Sequence, residues 1–229
     1  MDDVDELVRA VRSELAAAAD PEKAPRMRRY MKSAMPFRGV PKPERARVVS
    51  SVFAARVLPD RDSFIAAVTA LWRQARFREE RYAAIDLTGY RAYANWQDRA
   101  LLPLYEEMIV TGAWWDYVDE IAIRRVGPIR RAEPDAVNPL LRGWAREADR
   151  WRRRTAVICQ VGAKSRTDRA LLADAIEANQ DDRDFFLRKA IGWALRDYAR
   201  TDPDWVRAFV AAHPGLSPLS VREAGKHLG

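Results

Sequence analysis

In the stretch from Val4 to Leu15 the apolar residues Val4, Leu7, Val8, Val11 and Leu15 recur at intervals of three and four. That spacing gathers them on one stripe of an α-helix. The same interval returns along the whole chain in short segments, at 26–34, 43–57, 61–72, 78–93, 96–110, 115–126, 135–147, 149–161, 167–179, 184–200, 203–213 and 220–228. Between the second and third of these, Pro36, Gly39, Pro41 and Pro43 break both regular structures, so a loop is expected there, with Pro43 suited to the first turn of the next helix. Nowhere does a run of β-branched residues alternate with polar ones between turn signals. The chain is therefore expected to be all-α.

About a dozen short helices with short connections imply antiparallel neighbours in pairs. Six or so such pairs, each of about 35–45 residues, stack most naturally as a HEAT-like repeat solenoid. A stack of that kind has a concave face, and the expectation is a single domain over residues 1–229 with that face basic and turned to a DNA duplex. A compact bundle is the competing arrangement, less suited to helices so many and so short. The charge fits a polyanionic partner: 40 Lys and Arg stand against 33 Asp and Glu, a formal +7. Eight tryptophans are interleaved with the arginines, the mixture that stacking and phosphate contacts require.

Several chemistries are excluded by what the chain lacks. A single cysteine, Cys159, permits neither an internal disulfide nor a cluster of thiol ligands, which fits a reducing cytoplasm. The N-terminus is acidic where a secretory signal would be basic and then apolar, and no apolar run approaches the roughly 18 residues of a membrane span. The two histidines, His213 and His227, lie near the C-terminus, and Glu223 before His227 is too little for a zinc site or a triad. No glycine-rich phosphate loop is present. Any chemistry falls to carboxylates and aromatics, with no metal or cofactor expected.

Three places do not read simply as core. In 114–119 (Trp-Trp-Asp-Tyr-Val-Asp), helical geometry puts Trp114, Val118, Ile121 and Ala122 on the apolar stripe and Trp115 with Asp119 on its edge. An indole and a carboxylate then share one surface spot, although a Trp-x-x-x-Asp pair taken alone reads better as packing and a solvated flank. In 184–200, Lys189, Trp193, Arg196 and Arg200 fall in one narrow sector away from Leu187, Ile191 and Leu195. That Trp faces solvent or a ligand, unless the cationic stems fold over its ring. In 149–161, Arg154 sits amid the sector of Val157, Ile158 and Val161, either paired with a buried carboxylate or projecting into a groove.

These blocks together resemble the AlkD-like DNA alkylation-repair glycosylases, HEAT-like proteins that act on alkylated purines. The likeness covers nearly the whole chain. It rests on 21–24 (Pro-Glu-Lys-Ala), 30–32 with 36–39, 76–87, 114–119, 185–198 and the tail 216–224, in the right order. The resemblance implies that Asp119 is the catalytic carboxylate and that Trp115 and Trp193 frame the damaged nucleotide. It further implies that Arg154 contacts a phosphate beside the lesion and that Tyr30 and Arg196 face DNA, with Lys189 and Arg200 in the same cationic row. The substrate implied is double-stranded DNA carrying N7-alkylguanine or N3-alkyladenine, held against the surface without the usual enclosure of a flipped base, by a monomer. Lys42 and Arg38 depart from the pattern, so the N-terminal DNA contact is expected to differ. A noncatalytic HEAT-repeat module that binds DNA or an acidic protein is the alternative.

Overall fold

The computed structural model describes residues 3–227, and every regular element among them is helical, as expected. Leu228, at the end of the last expected helix, lies outside the described residues, as does the side chain of His227. The chain divides into two compact units, Met1–Gln97 and Asp98–Gly229.

The first unit contains α1 (Asp3–Ala17), α2 (Ala24–Tyr30), α3 (Lys42–Ala55), α4 (Arg61–Arg73) and α5 (Arg78–Thr88), followed by a 3-10 turn at Arg91–Trp96. The stripe read from the sequence of α1 is its buried face, for Leu7, Val8, Val11 and Leu15 are covered by α3, α4 and α5. Each such side chain contributes about 1.5–3 kcal/mol by leaving water. The loop before α3 is held from within. Glu79, fully buried at the start of α5, accepts hydrogen bonds from the backbone N–H groups of Arg38, Gly39 and Val40 at 3.0, 3.0 and 3.2 Å. Gly39 is required there, because its φ is +87° and a Cβ would lie 2.0 Å from the Asp20 carbonyl oxygen. Arg38 turns inward, pairing with Glu80 and stacking 3.9 Å over the Phe77 ring. Its departure from the family pattern therefore serves the loop. The helix expected at 26–34 ends earlier, at Tyr30, where Lys32 takes a left-handed conformation.

The second unit runs through α6 (Leu102–Gly112), α7 (Trp115–Ile121), a π-helical segment (Ala122–Val126), α8 (Gly127–Ala132), α9 (Pro134–Trp144), α10 (Arg150–Ile158), α11 (Arg169–Glu177), α12 (Phe185–Ala199), α13 (Pro203–Ala212) and α14 (Pro218–Ala224). Its centre is α10, which packs on α6, α7, α9, α11 and α12. Asp149 caps this helix by accepting from the N–H groups of Trp151 and Arg152. Cys159, just beyond its end, is buried, and burial pushes its thiol up to about 12, so it is an inert core residue.

The helix expected at 115–126 ends there and none is expected over 127–132, but α8 continues without a break through Pro128. Proline has no N–H to give the carbonyl of Arg124, and its ring pushes that carbonyl aside. The chain answers by widening into the π-helical segment directly before it, a feature frequent at functional sites. Gly127 then passes against the end of α10, where a Cβ would stand 2.3 Å from the Cys159 carbonyl oxygen. Because the obstacle is backbone, Gly127→Ala is expected to destabilise the protein by about 1–3 kcal/mol, read from its urea midpoint. A shift of the midpoint within error would show that α8 separates freely from α10.

Candidate active site

Asp119 lies on the second turn of α7, one turn beyond Trp115, and both are half-buried. The stripe behind them is as expected for Val118, Ile121 and Ala122, all fully buried. Trp114 departs from it. It is the N-cap residue of α7, in extended conformation, and its ring packs against Trp151 and edge-on to Phe186. An aromatic cluster thus anchors the start of α7 to α10 and α12.

Arg154 settles its two sequence-level alternatives in favour of the buried carboxylate. Its Nε and Nη2 donate to Asp119 Oδ1 and Oδ2 at 2.7 and 2.8 Å, while Nη1 donates to the Phe186 carbonyl at 2.5 Å. The guanidinium therefore ties α7 to the first turn of α12 across the central helix. Its side chain is 5 % exposed, that of Asp119 15 %. Burial pushes the Asp119 carboxyl above its ordinary value, against the opposing pull of the two hydrogen bonds and charge of Arg154. The outcome is an oriented carboxylate, partly exposed and otherwise withdrawn from water.

On α12, Trp193 is half-buried and stands apart from the buried Ile191 and Leu195, as its sector predicted. Lys189 and Arg196 are not simply presented to solvent. Lys189 Nζ and Arg196 Nη1 each donate to the buried Glu223 of α14, both at 2.7 Å, and Lys226 adds a third ion pair. Lys189 and then Lys226, by hydrogen bond and charge, hold the Glu223 carboxyl at about 2, well below the usual range. Three positive charges around one negative leave a local excess of two. Arg200, at the C-cap of the same helix, is exposed. In the first unit Tyr30 is 76 % exposed, and its neighbours Arg28, Arg29 and Lys32 line, with Pro25, Pro36 and Phe37, an open cleft of about 640 Å³.

The DNA alkylation repair enzyme family model matches residues 11–228. The chain belongs to that family. A solved structure described as a predicted DNA alkylation repair enzyme from Enterococcus faecalis is 30% identical, with a TM-score of 0.83 over 92% of this chain and 97% of that one. No curated protein matches the sequence. The family model runs through both compact units, so membership concerns the two together.

Within this family member the structure joins Asp119 directly to Arg154, and Lys189 to Arg196 through Glu223. Sequence reasoning missed Glu223 as a hub and the Phe186 carbonyl as the third support of Arg154. Only the spacing of Glu223 and Lys226, three apart on one turn, hinted at the first. A backbone carbonyl leaves no sequence signal. Among the described residues no helix is long and apolar enough to cross a membrane.

Proposed function

We propose that this protein is a DNA glycosylase that hydrolyses the N-glycosidic bond of cationic alkylated purines, N7-alkylguanine and N3-alkyladenine, in duplex DNA. The observation that carries the reading is the Asp119 carboxylate, gripped at both oxygens by a buried arginine, still partly exposed, and one helical turn beyond Trp115. A purine alkylated at N3 or N7 is already positive and leaves with the bonding electron pair as a neutral base, so no general acid is needed. Charge then builds on the deoxyribose. Asp119 stabilises that oxocarbenium-like character and orients the water whose oxygen bonds to C1′, its proton passing to the carboxylate or to solvent. Trp115 and Trp193 offer aromatic faces to the electron-poor sugar and base, a contact that strengthens as charge develops.

Lys189, Arg196 and Arg200 of the second unit are assigned to the duplex backbone, and so, on the first unit, is Tyr30. Arg154 acts chiefly through Asp119 in this scheme, and any phosphate contact it makes is secondary to that pair. In this reading the base need not be enclosed, and only the exposed part of the Asp119 carboxylate has to reach the sugar.

The test is release of free base from duplex DNA treated with a methylating agent. The wild type is expected to liberate 7-methylguanine and 3-methyladenine and to bind undamaged duplex with an affinity that falls steeply with salt. Tight, salt-dependent binding with no base released would establish the noncatalytic module instead.

A further inference from the structure

The carboxylate of Glu223 has no place in that scheme, yet it is the most heavily engaged acid near Trp193. Its helix, α14, lies against α12 at Gly192, where a Cβ would come within 2.5 Å of Glu223 Cβ and 2.9 Å of the Ser220 carbonyl oxygen. Ser220 Oγ also donates to the Arg188 carbonyl at 2.9 Å. The contact is thus fixed along α12 from Arg188 to Arg196. Round the axis of α12, Gly192 and Trp193 are about 100° apart, and the row of Lys189 and Arg196 runs between them. Four residues before the indole and three after it, these two cations are within reach of the ring, and an Arg or Lys at that spacing is drawn onto an aromatic face. Glu223 stands on the Gly192 side and holds both of them there, at 2.7 Å each.

We infer that Glu223 is a positioning residue that draws Lys189 and Arg196 off the Trp193 indole and so keeps that aromatic face open to the damaged nucleotide. The inference rests on the glycosylase reading above. Its ordinary consequence is an inverted relation between binding and rate. Glu223 lowers the positive charge available to phosphate, so it weakens binding to undamaged duplex while it speeds excision. The depressed carboxyl keeps the arrangement intact throughout the neutral range.

Single-turnover release of 7-methylguanine at saturating protein separates these effects, measured for wild type, Asp119→Asn, Glu223→Gln and the triple variant Glu223→Gln/Lys189→Gln/Arg196→Gln. Glu223→Gln is expected to bind undamaged duplex roughly threefold more tightly, with a salt slope steeper by up to about one unit. Its excision rate is expected to fall about 10-fold to 100-fold, the scale of a misplaced contact. In the triple variant the cations that would cover the indole are gone, so at saturating protein it is expected to excise faster than Glu223→Gln although its duplex affinity drops. A merely structural Glu223 would lower the melting temperature and leave the saturating rate of the folded protein unchanged; that result, or a triple variant as slow as Glu223→Gln, overturns the inference. If Glu223→Gln does not fold, the triple variant is compared with Lys189→Gln/Arg196→Gln: equal saturating rates support the inference, because without the cations Glu223 has nothing to draw aside, and a slower triple variant overturns it. No release by the wild type would remove the glycosylase reading, and this inference with it. Release by the wild type but not by Asp119→Asn, with Glu223→Gln unaffected, would remove this inference alone.

Discussion

An Asp119→Asn protein is expected to release 7-methylguanine and 3-methyladenine from duplex DNA about 10²–10³ times more slowly than wild type, at nearly unchanged duplex affinity. The substitution keeps the shape and removes the charge that the developing oxocarbenium requires. A leaving group that departs spontaneously makes the lower end of that range the natural expectation. The ion pair adds a second consequence. Arg154 is 4 % exposed, and an Asn amide presents a donor to one of its two donating nitrogens, leaving part of a buried cation unpaired. A stability loss of about 3 kcal/mol is expected with the loss of rate. The rate must accordingly be taken from protein shown by circular dichroism to be folded. Asp116→Asn is the control. Asp116 lies in the first turn of α7, about 100° round from Trp115, and its charge acts on Asp119 by raising its pKa. Removing it leaves Asp119 more readily ionised, so the rate at neutral pH is expected to stay within about twofold of wild type. Full activity in folded Asp119→Asn would end the catalytic assignment. Equal losses at both positions would make 114–119 a structural motif.

The helices were legible because each carries its own period. The stripes Leu7, Val8, Val11, Leu15 on α1 and Leu187, Ile191, Leu195 on α12 are fixed by local spacing, and the structure buries them as that spacing requires. What escaped was decided by partners distant in sequence or by backbone chemistry. The helix expected at 115–126 is followed by α8, which continues through Pro128 after the widened π-helical turn before it. The end of the helix expected at 78–93 tightens into a 3-10 turn at Arg91–Trp96, where Tyr93 is buried against Phe64 and Trp96. In the site, the anomaly of Arg154 was visible from its neighbours Val157 and Ile158, but the identity of its partner lay 35 residues away. Lys189 and Arg196 read as a free cationic row because Glu223 belongs to another helix. The assignment of the chemistry to Asp119 and not to Asp116 rests on the family resemblance, since spacing alone reads Trp115 and Asp119 as packing and flank.

Replacing Arg154 by Gln is expected to lower activity and stability together, and the order in which they are recovered distinguishes its role. Without the guanidinium, the burial that pushes the Asp119 carboxyl up remains, while the hydrogen bonds and charge of Arg154 that pull it down are lost. Its pKa rises further above the ordinary value, a larger share is protonated at any given pH, and the acid limb of the rate profile moves to higher pH. Excision by Arg154→Gln should therefore be partly restored as the buffer is made more alkaline, which a simple loss of a phosphate contact would not produce. The carboxylate left behind costs about 3 kcal/mol of stability, because it is mostly buried and now lacks its counter-charge. Combining the two substitutions as Asp119→Asn/Arg154→Gln removes both charges at once. The double variant is expected to be more stable than the sum of the single losses by about 1–3 kcal/mol, since neither charge is left unpaired. It is expected to excise no faster than Asp119→Asn. Stability regained without activity is the signature of a carboxylate that the arginine orients and the reaction uses. If the double variant were as active as Arg154→Gln alone, Asp119 would be only the counter-ion of Arg154, and the catalytic group would have to be sought elsewhere on α7 or α12.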